Sequence, residues 1–134
     1  MLKNILIVDD SAALHQIYNI TVKRYKCNVI SALSGQEGLN KLAQNPDVDL
    51  MLVDMNMPHM SGLEFIKKVK EMATYSNIPI IIITTKGKEE GVREAVELSG
   101  GNLVKPFTSN ELHERIEKLF PQFAALHART LVYA

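Results

Sequence analysis

Five short apolar runs punctuate the chain, at residues 4–8, 28–32, 50–53, 80–83 and 103–104, several of them rich in Ile and Val and bounded by polar or turn-forming residues. Between and after them lie longer stretches at 11–25, 34–44, 62–73, 88–98 and 109–120, where apolar residues return at helical spacing. The alternation predicts five strands and five helices. Three helix starts carry a local signal: Ser34 precedes Glu37, Ser61 precedes Glu64 and Thr108 precedes Glu111, each at the spacing of a capping box. Leu14, Ile17 and Thr21 are expected to form the buried stripe of the first helix, and Leu112, Ile116, Leu119 and Phe120 that of the last.

Continuous rather than alternating apolar strands imply a sheet covered on both faces, as right-handed strand–helix–strand crossovers produce. The expected fold class is therefore α/β, a doubly wound five-stranded parallel sheet with five helices. Pro121 is a plausible stop for the last helix. Residues 1–120 are expected to form one domain, and 121–134 a tail of unknown role with apolar positions at Phe123, Leu126, Leu131 and Val132.

Composition narrows the function classes. The 134 residues carry 15 Lys plus Arg against 15 Asp plus Glu, and 46% are hydrophobic, which fits an ordinary water-soluble domain large enough to bury a core. Zero net charge without a basic block removes the electrostatic argument for a nucleic-acid or membrane-surface partner. Cys27 is the only cysteine, so no disulfide can form within the chain, and a reducing, cytoplasmic setting is expected. The apolar run before Asp9 is too short for a signal-peptide core, and no run approaches a membrane span.

Ligands of open parallel sheets bind beyond the carboxyl ends of the strands. The first run ends in Asp9 and Asp10, the third in Asp54, the fourth in Thr84 and Thr85, and the fifth in Lys105. If the first and third strands are neighbours, three carboxylates converge and require a compensating cation, for which Mg2+ is the natural choice. Lys105 would add a fixed positive charge and Thr84 a hydroxyl, a cradle suited to phosphoryl transfer onto a carboxylate, with Asp54 as candidate nucleophile. His15, His59, His113 and His127 share no metal-ligand spacing and are expected to be surface or half-buried, with His59 near the mouth of the site. Met55, Met57 and Met60 are expected to provide adaptable loop packing.

Val8-Asp9-Asp10-Ser11, Asp54-Met55-Asn56-Met57-Pro58, Ile83-Thr84 and Lys105-Pro106-Phe107, in this order over about 120 residues, resemble the receiver domain of two-component response regulators of the stand-alone type. The resemblance implies a flavodoxin-like fold with strand order 2-1-3-4-5. It implies that Asp54 accepts a phosphoryl group from a phosphohistidine on a histidine kinase or histidine phosphotransfer protein. Asp10, Asp54 and the Asn56 carbonyl would then ligate Mg2+, with Asp9 acting through a water. Thr84 would bond a phosphoryl oxygen, Lys105 would pair with its charge, and Pro106 would follow a cis peptide.

In place of the aromatic that receivers commonly carry three residues before the Lys, this chain has Asn102, and the Gly100-Gly101 segment is short. That departure supports an alternative, a receiver-like adaptor independent of phosphorylation. A phosphatase is not expected, because Asn56 rather than a general-acid Asp follows Asp54 by two positions. A flavin site is disfavoured by two acids where phosphate would need free amides. The resemblance also implies that Asn56 and Lys86, two residues after Asp54 and after Thr84, flank the path of the hydrolytic water. Lys86→Ala should therefore change the lifetime of an aspartyl phosphate while leaving Mg2+ binding nearly intact, as measured by the decay of phosphorylated protein.

Overall fold

A computed structural model of the chain describes residues 2–85 and 91–123. Strands β1 (Asn4–Val8), β2 (Asn28–Ala32), β3 (Leu50–Asp54), β4 (Ile80–Thr85) and β5 (Gly101–Lys105) form one parallel sheet in the order β2-β1-β3-β4-β5. Helices α1 (Ala12–Val22), α2 (Gly35–Gln44), α3 (Gly62–Lys70), α4 (Val92–Leu98) and α5 (Ser109–Leu119) connect and follow them. This is the expected flavodoxin-like architecture, and it makes β1, β3 and β4 central.

The unbroken apolar runs are explained by what covers each face. Leu6, Val8, Met51, Val53, Ile80 and Ile82 pack with Leu42 of α2, Phe65, Ile66 and Val69 of α3, and Ala95 of α4. The alternate residues Ile5, Ile7, Leu50, Leu52, Ile81 and Ile83 pack with Tyr18 and Val22 of α1 and with Leu112 and Ile116 of α5. Successive residues of a strand point to opposite faces, so a strand buried on both must be apolar throughout.

Several boundaries move, each for a physical reason. β5 is five residues long rather than two, because Gly101 and Asn102 pair in register with Ile81 and Ile82 despite their turn-like identities. The first helix ends at Val22 and gives way to a 3-10 turn at Lys23–Tyr25, which Lys26 closes in the left-handed conformation. α3 stops at Lys70, short of residue 73. α4 is described from Val92, and residues 86–90, which include the start expected for this helix, lie outside the described residues.

Ser34, Ser61 and Thr108 accept the amide hydrogens of Glu37, Glu64 and Glu111, as the spacing predicts. Among the described residues, the full reciprocal box forms only at Thr108, whose N–H donates to Glu111 Oε1; the Glu37 carboxylate instead accepts from Leu33 N–H. Ser11 also caps its helix, accepting from Leu14 N–H.

The stripe expected for α1 is corrected. Thr21 is buried and Leu14 half-buried, but Ile17 is 50% exposed, and the inward face is formed by His15, Tyr18 and Val22. Apolar ranking favours Ile over His and Tyr, yet polar ring atoms can be buried when they find partners. His15 and His113 are accordingly buried, against the expectation that they are surface or half-buried. The Tyr25 hydroxyl and His113 Nδ1 lie 2.6 Å apart, and Phe123 from the expected tail packs against Tyr25 and Phe120. The other tail positions, Leu126, His127, Leu131 and Val132, lie outside the described residues.

The start of α3 is pressed directly onto the end of β3. Gly62 N–H donates to Met55 O, and Met55 N–H donates to Ile83 O of β4. A Cβ on Gly62 would lie 2.5 Å from Asp54 O and 2.7 Å from Met55 Cα, both backbone atoms that cannot move aside cheaply. Gly62→Ala should therefore destabilise the chain by about 2 kcal/mol or more, lowering the urea midpoint at unchanged slope.

Candidate functional site

Four parallel strands deliver the chemistry to one edge. Asp9 and Asp10 follow β1, Asp54 ends β3, Thr84 and Thr85 end β4, and Lys105 ends β5. Because β1 and β3 are neighbours, with Val8 opposite Val53, carboxylate oxygens of Asp9, Asp10 and Asp54 lie within 4.8 Å of one another. Asp9 is 1% and Asp54 2% exposed, whereas Asp10 is open to solvent.

Each buried carboxylate is held by defined donors. Asp9 Oδ1 accepts from Ser11 N–H at 2.9 Å, and its Oδ2 from the Tyr18 hydroxyl at 3.1 Å. Asp54 Oδ1 accepts from Asn56 N–H at 3.2 Å. The Lys105 ammonium stands between the two acids, 3.4 Å from Asp9 Oδ2 and 3.5 Å from Asp54 Oδ2. The peptide between Lys105 and Pro106 is cis.

Three carboxylates against one ammonium leave a formal excess of two negative charges, equal to the charge of one divalent cation. An all-oxygen donor set with one open, solvated acid suits a hard ion that keeps waters, and Mg2+ fits these residues. The acidic group is of the kind that characterises receiver Mg2+ sites.

Burial is the largest influence on Asp54, and with the nearby Asp9 charge it pushes the carboxyl up to about 6, against the opposing pull of Asn56 N–H and Lys105. Burial and then the Asp9 charge also hold the Tyr18 phenol well above its ordinary range.

Thr84 is buried and its hydroxyl donates to Asn102 Oδ1 at 3.3 Å. The position read as a missing aromatic thus holds a polar partner for the site threonine. Asn56 is exposed, and its side chain donates to Thr85 Oγ1 at 3.4 Å. His59 is exposed in a left-handed conformation, while Met55 and Met57 are buried. Lys86 lies outside the described residues. Beside Lys105 a cleft of about 400 Å³ opens between α1 and the loop after β5, lined by Leu14, Ile17, Thr85, Lys105, Pro106 and Phe107.

The strand-end residues are legible in the sequence, but Ser11, His15 and Tyr18 are not legible there as supports of the acids. His15 Nε2 lies 2.8 Å from Asp9 O and 3.1 Å from Ala32 O, tying the loop after β1 to the end of β2. The available signal was a His and a Tyr three apart on a helix that directly follows an acid pair, where an apolar stripe was expected.

Response regulator receiver domains match residues 5–117. The Campylobacter jejuni chemotaxis protein CheY homolog is 39% identical over 115 residues, covering 84% of this chain and 88% of that protein. Helicobacter pylori chemotaxis protein CheY1 is 40% identical over 116 residues, covering 84% and 93%. Among solved structures, the Vibrio cholerae chemotaxis response regulator CheY4 superposes with a TM-score of 0.78 at 34% identity, over 88% of this chain and 98% of that one.

Because Asp54 binds a proton more tightly in the folded chain than in the unfolded one, its contribution to stability is present below an unfolded pKa near 4 and lost as pH rises through about 6. With divalent ions chelated, Asp54→Asn should be more stable than the parent by roughly 2 kcal/mol at about pH 7.5, the gap shrinking toward about pH 5. Urea titrations across that range check both the sign and the window.

Proposed function

The chain belongs to the response regulator receiver family, and from that premise we propose that Asp54 accepts a phosphoryl group from a phosphohistidine of a histidine kinase or histidine phosphotransfer protein. The observation that carries this reading is the Lys105 ammonium held at 3.4 and 3.5 Å from two buried acids on neighbouring strands. A phosphoacceptor switch of this kind is not an enzyme in the ordinary sense, since its own side chain is the substrate.

An Asp54 carboxylate oxygen attacks phosphorus in line. The P–N bond to the donor imidazole breaks as the O–P bond forms, and the imidazole nitrogen keeps the electron pair and takes a proton. The transferred group spreads negative charge over three oxygens, so it needs positive charge fixed in advance. Lys105 supplies one such charge from β5. Asp9, Asp10, Asp54 and the Asn56 carbonyl would hold Mg2+, whose charge would supply the rest by neutralising phosphoryl oxygens. A water then attacks phosphorus, the O–P bond to Asp54 breaks, and inorganic phosphate leaves, so self-catalysed hydrolysis slowly returns Asp54 to its free carboxylate.

Thr84 is the element that reports the change. Its hydroxyl is engaged by Asn102 and would have to leave that partner to meet a phosphoryl oxygen, altering the contact between β4 and β5. Two sets of mutually exclusive bonds provide the differential interaction that a two-state response requires. The altered face changes affinity for a downstream protein target. The apolar cleft beside Lys105 offers a seat for the donor protein.

In this reading residues 1–120 are the phosphoacceptor domain, 121–134 a tail without an assigned role, and the protein works in the cytoplasm without nucleic-acid or membrane partners. Among the described residues no helix is long and apolar enough to cross a membrane.

Incubation with Mg2+ and acetyl phosphate, followed by intact-mass measurement, should add one phosphoryl group to the parent chain and none to Asp54→Asn. Unmodified parent, or equal modification of the variant, would count against Asp54 as acceptor.

A further inference from the structure

Tyr18 heads the fully buried side chains by size, and its hydroxyl donates to an acid of the site. A hydroxyl taken out of water costs stability unless it is bonded, so a purely structural filler of this volume would be better served by an apolar ring. The ring is itself fixed. It stacks on Phe107 with centroids 5.8 Å apart and planes 17° from parallel, and meets His15 edge-on at 6.3 Å. Phe107 is two residues beyond Lys105, so one side chain touches both the first acid and the loop that carries the ammonium.

Without it the second oxygen of Asp9 would rest on Lys105 alone, at 3.4 Å. Ser11 N–H fixes Oδ1, but the plane of a carboxylate is set only when its second oxygen is also engaged. Oδ2 has two partners in the Tyr18 hydroxyl and Lys105. The nearly equal distances of Lys105 from Asp9 and Asp54 show that neither acid captures it.

We propose that the Tyr18 hydroxyl is a positioning group of the divalent-cation site, holding the Asp9 carboxylate toward the ion. This rests on the reading of the site as an Mg2+-dependent phosphoacceptor. Groups that orient a ligand from behind commonly change metal affinity about 10- to 100-fold when removed.

The test is Tyr18→Phe, which keeps the ring on Phe107 and deletes only the oxygen. Isothermal calorimetry of the full chain with Mg2+ should show affinity weakened about tenfold. In phosphorylation by acetyl phosphate, the half-saturating Mg2+ concentration should rise by a similar factor while the rate at saturating Mg2+ stays within about threefold of the parent, because raised cation concentration restores the site. A merely structural role would lower the saturated rate and resist that rescue. In case Tyr18→Phe folds poorly, NMR of the parent provides the second measurement: the Tyr18 hydroxyl proton, protected from exchange by burial, should shift during Mg2+ titration. Unchanged Mg2+ affinity in a folded Tyr18→Phe, or a hydroxyl resonance indifferent to Mg2+, overturns the inference alone. A parent chain that binds no Mg2+ overturns the phosphoacceptor reading and this inference with it.

Discussion

Two buried carboxylates facing one ammonium is the arrangement on which the rest of this molecule depends. Taking like charges out of water is unfavourable, and a single Lys does not neutralise a pair. The chain accommodates the pair by supplying donors from rigid places: amides of Ser11 and Asn56, a phenol from α1, and Lys105 from the end of β5. What remains uncompensated is useful. An unmet negative charge in a fixed cradle attracts a divalent cation, and a carboxyl raised toward about 6 is one whose ionised state is readily altered by what binds beside it.

The sheet makes this arrangement affordable. Parallel strands all end at one edge, so four segments distant in sequence meet without any long loop having to be ordered. In β1, β3 and β4 the residues before these ends are apolar on both faces, and all four strands are locked by register, with Val8 opposite Val53, Asp54 opposite Ile83 and Thr85 opposite Lys105. The close approach of Gly62 to Asp54 O seals the segment after β3 against α3, so the backbone of Asp54 has little freedom. Distances at the site are thus inherited from strand pairing rather than from loops.

What the sequence made legible follows from the same logic. Apolar runs identify central strands because burial on both faces leaves no choice of residue, and the polar residues that end them stand out. Edge strands carry a weaker signal: β5 contains Gly101 and Asn102, and its pairing with β4 decides its length. The support behind Asp9 was illegible for a different reason. His15 and Tyr18 are buried through specific polar contacts, and hydropathy assigns such residues to the surface while promoting Ile17 to the core. The partnership of Thr84 with Asn102 was hidden as well, because it joins neighbouring strands offset by two residues and depends on their register.

The amino ends of the strands have a character opposite to that of the carboxyl ends. There Asp49 accepts from the amides of Lys3 and Asn4, and the Asn4 side chain donates to Asp47, so the acids at this pole are satisfied by the chain's own polar groups. The molecule is polarised like a tool with a working tip and a handle. Reporter dyes, affinity tags or surface tethers fixed at the handle, around residues 45–47 or 71–77, would leave the tip unobstructed, which gives this chain a natural orientation for sensors built on immobilised protein.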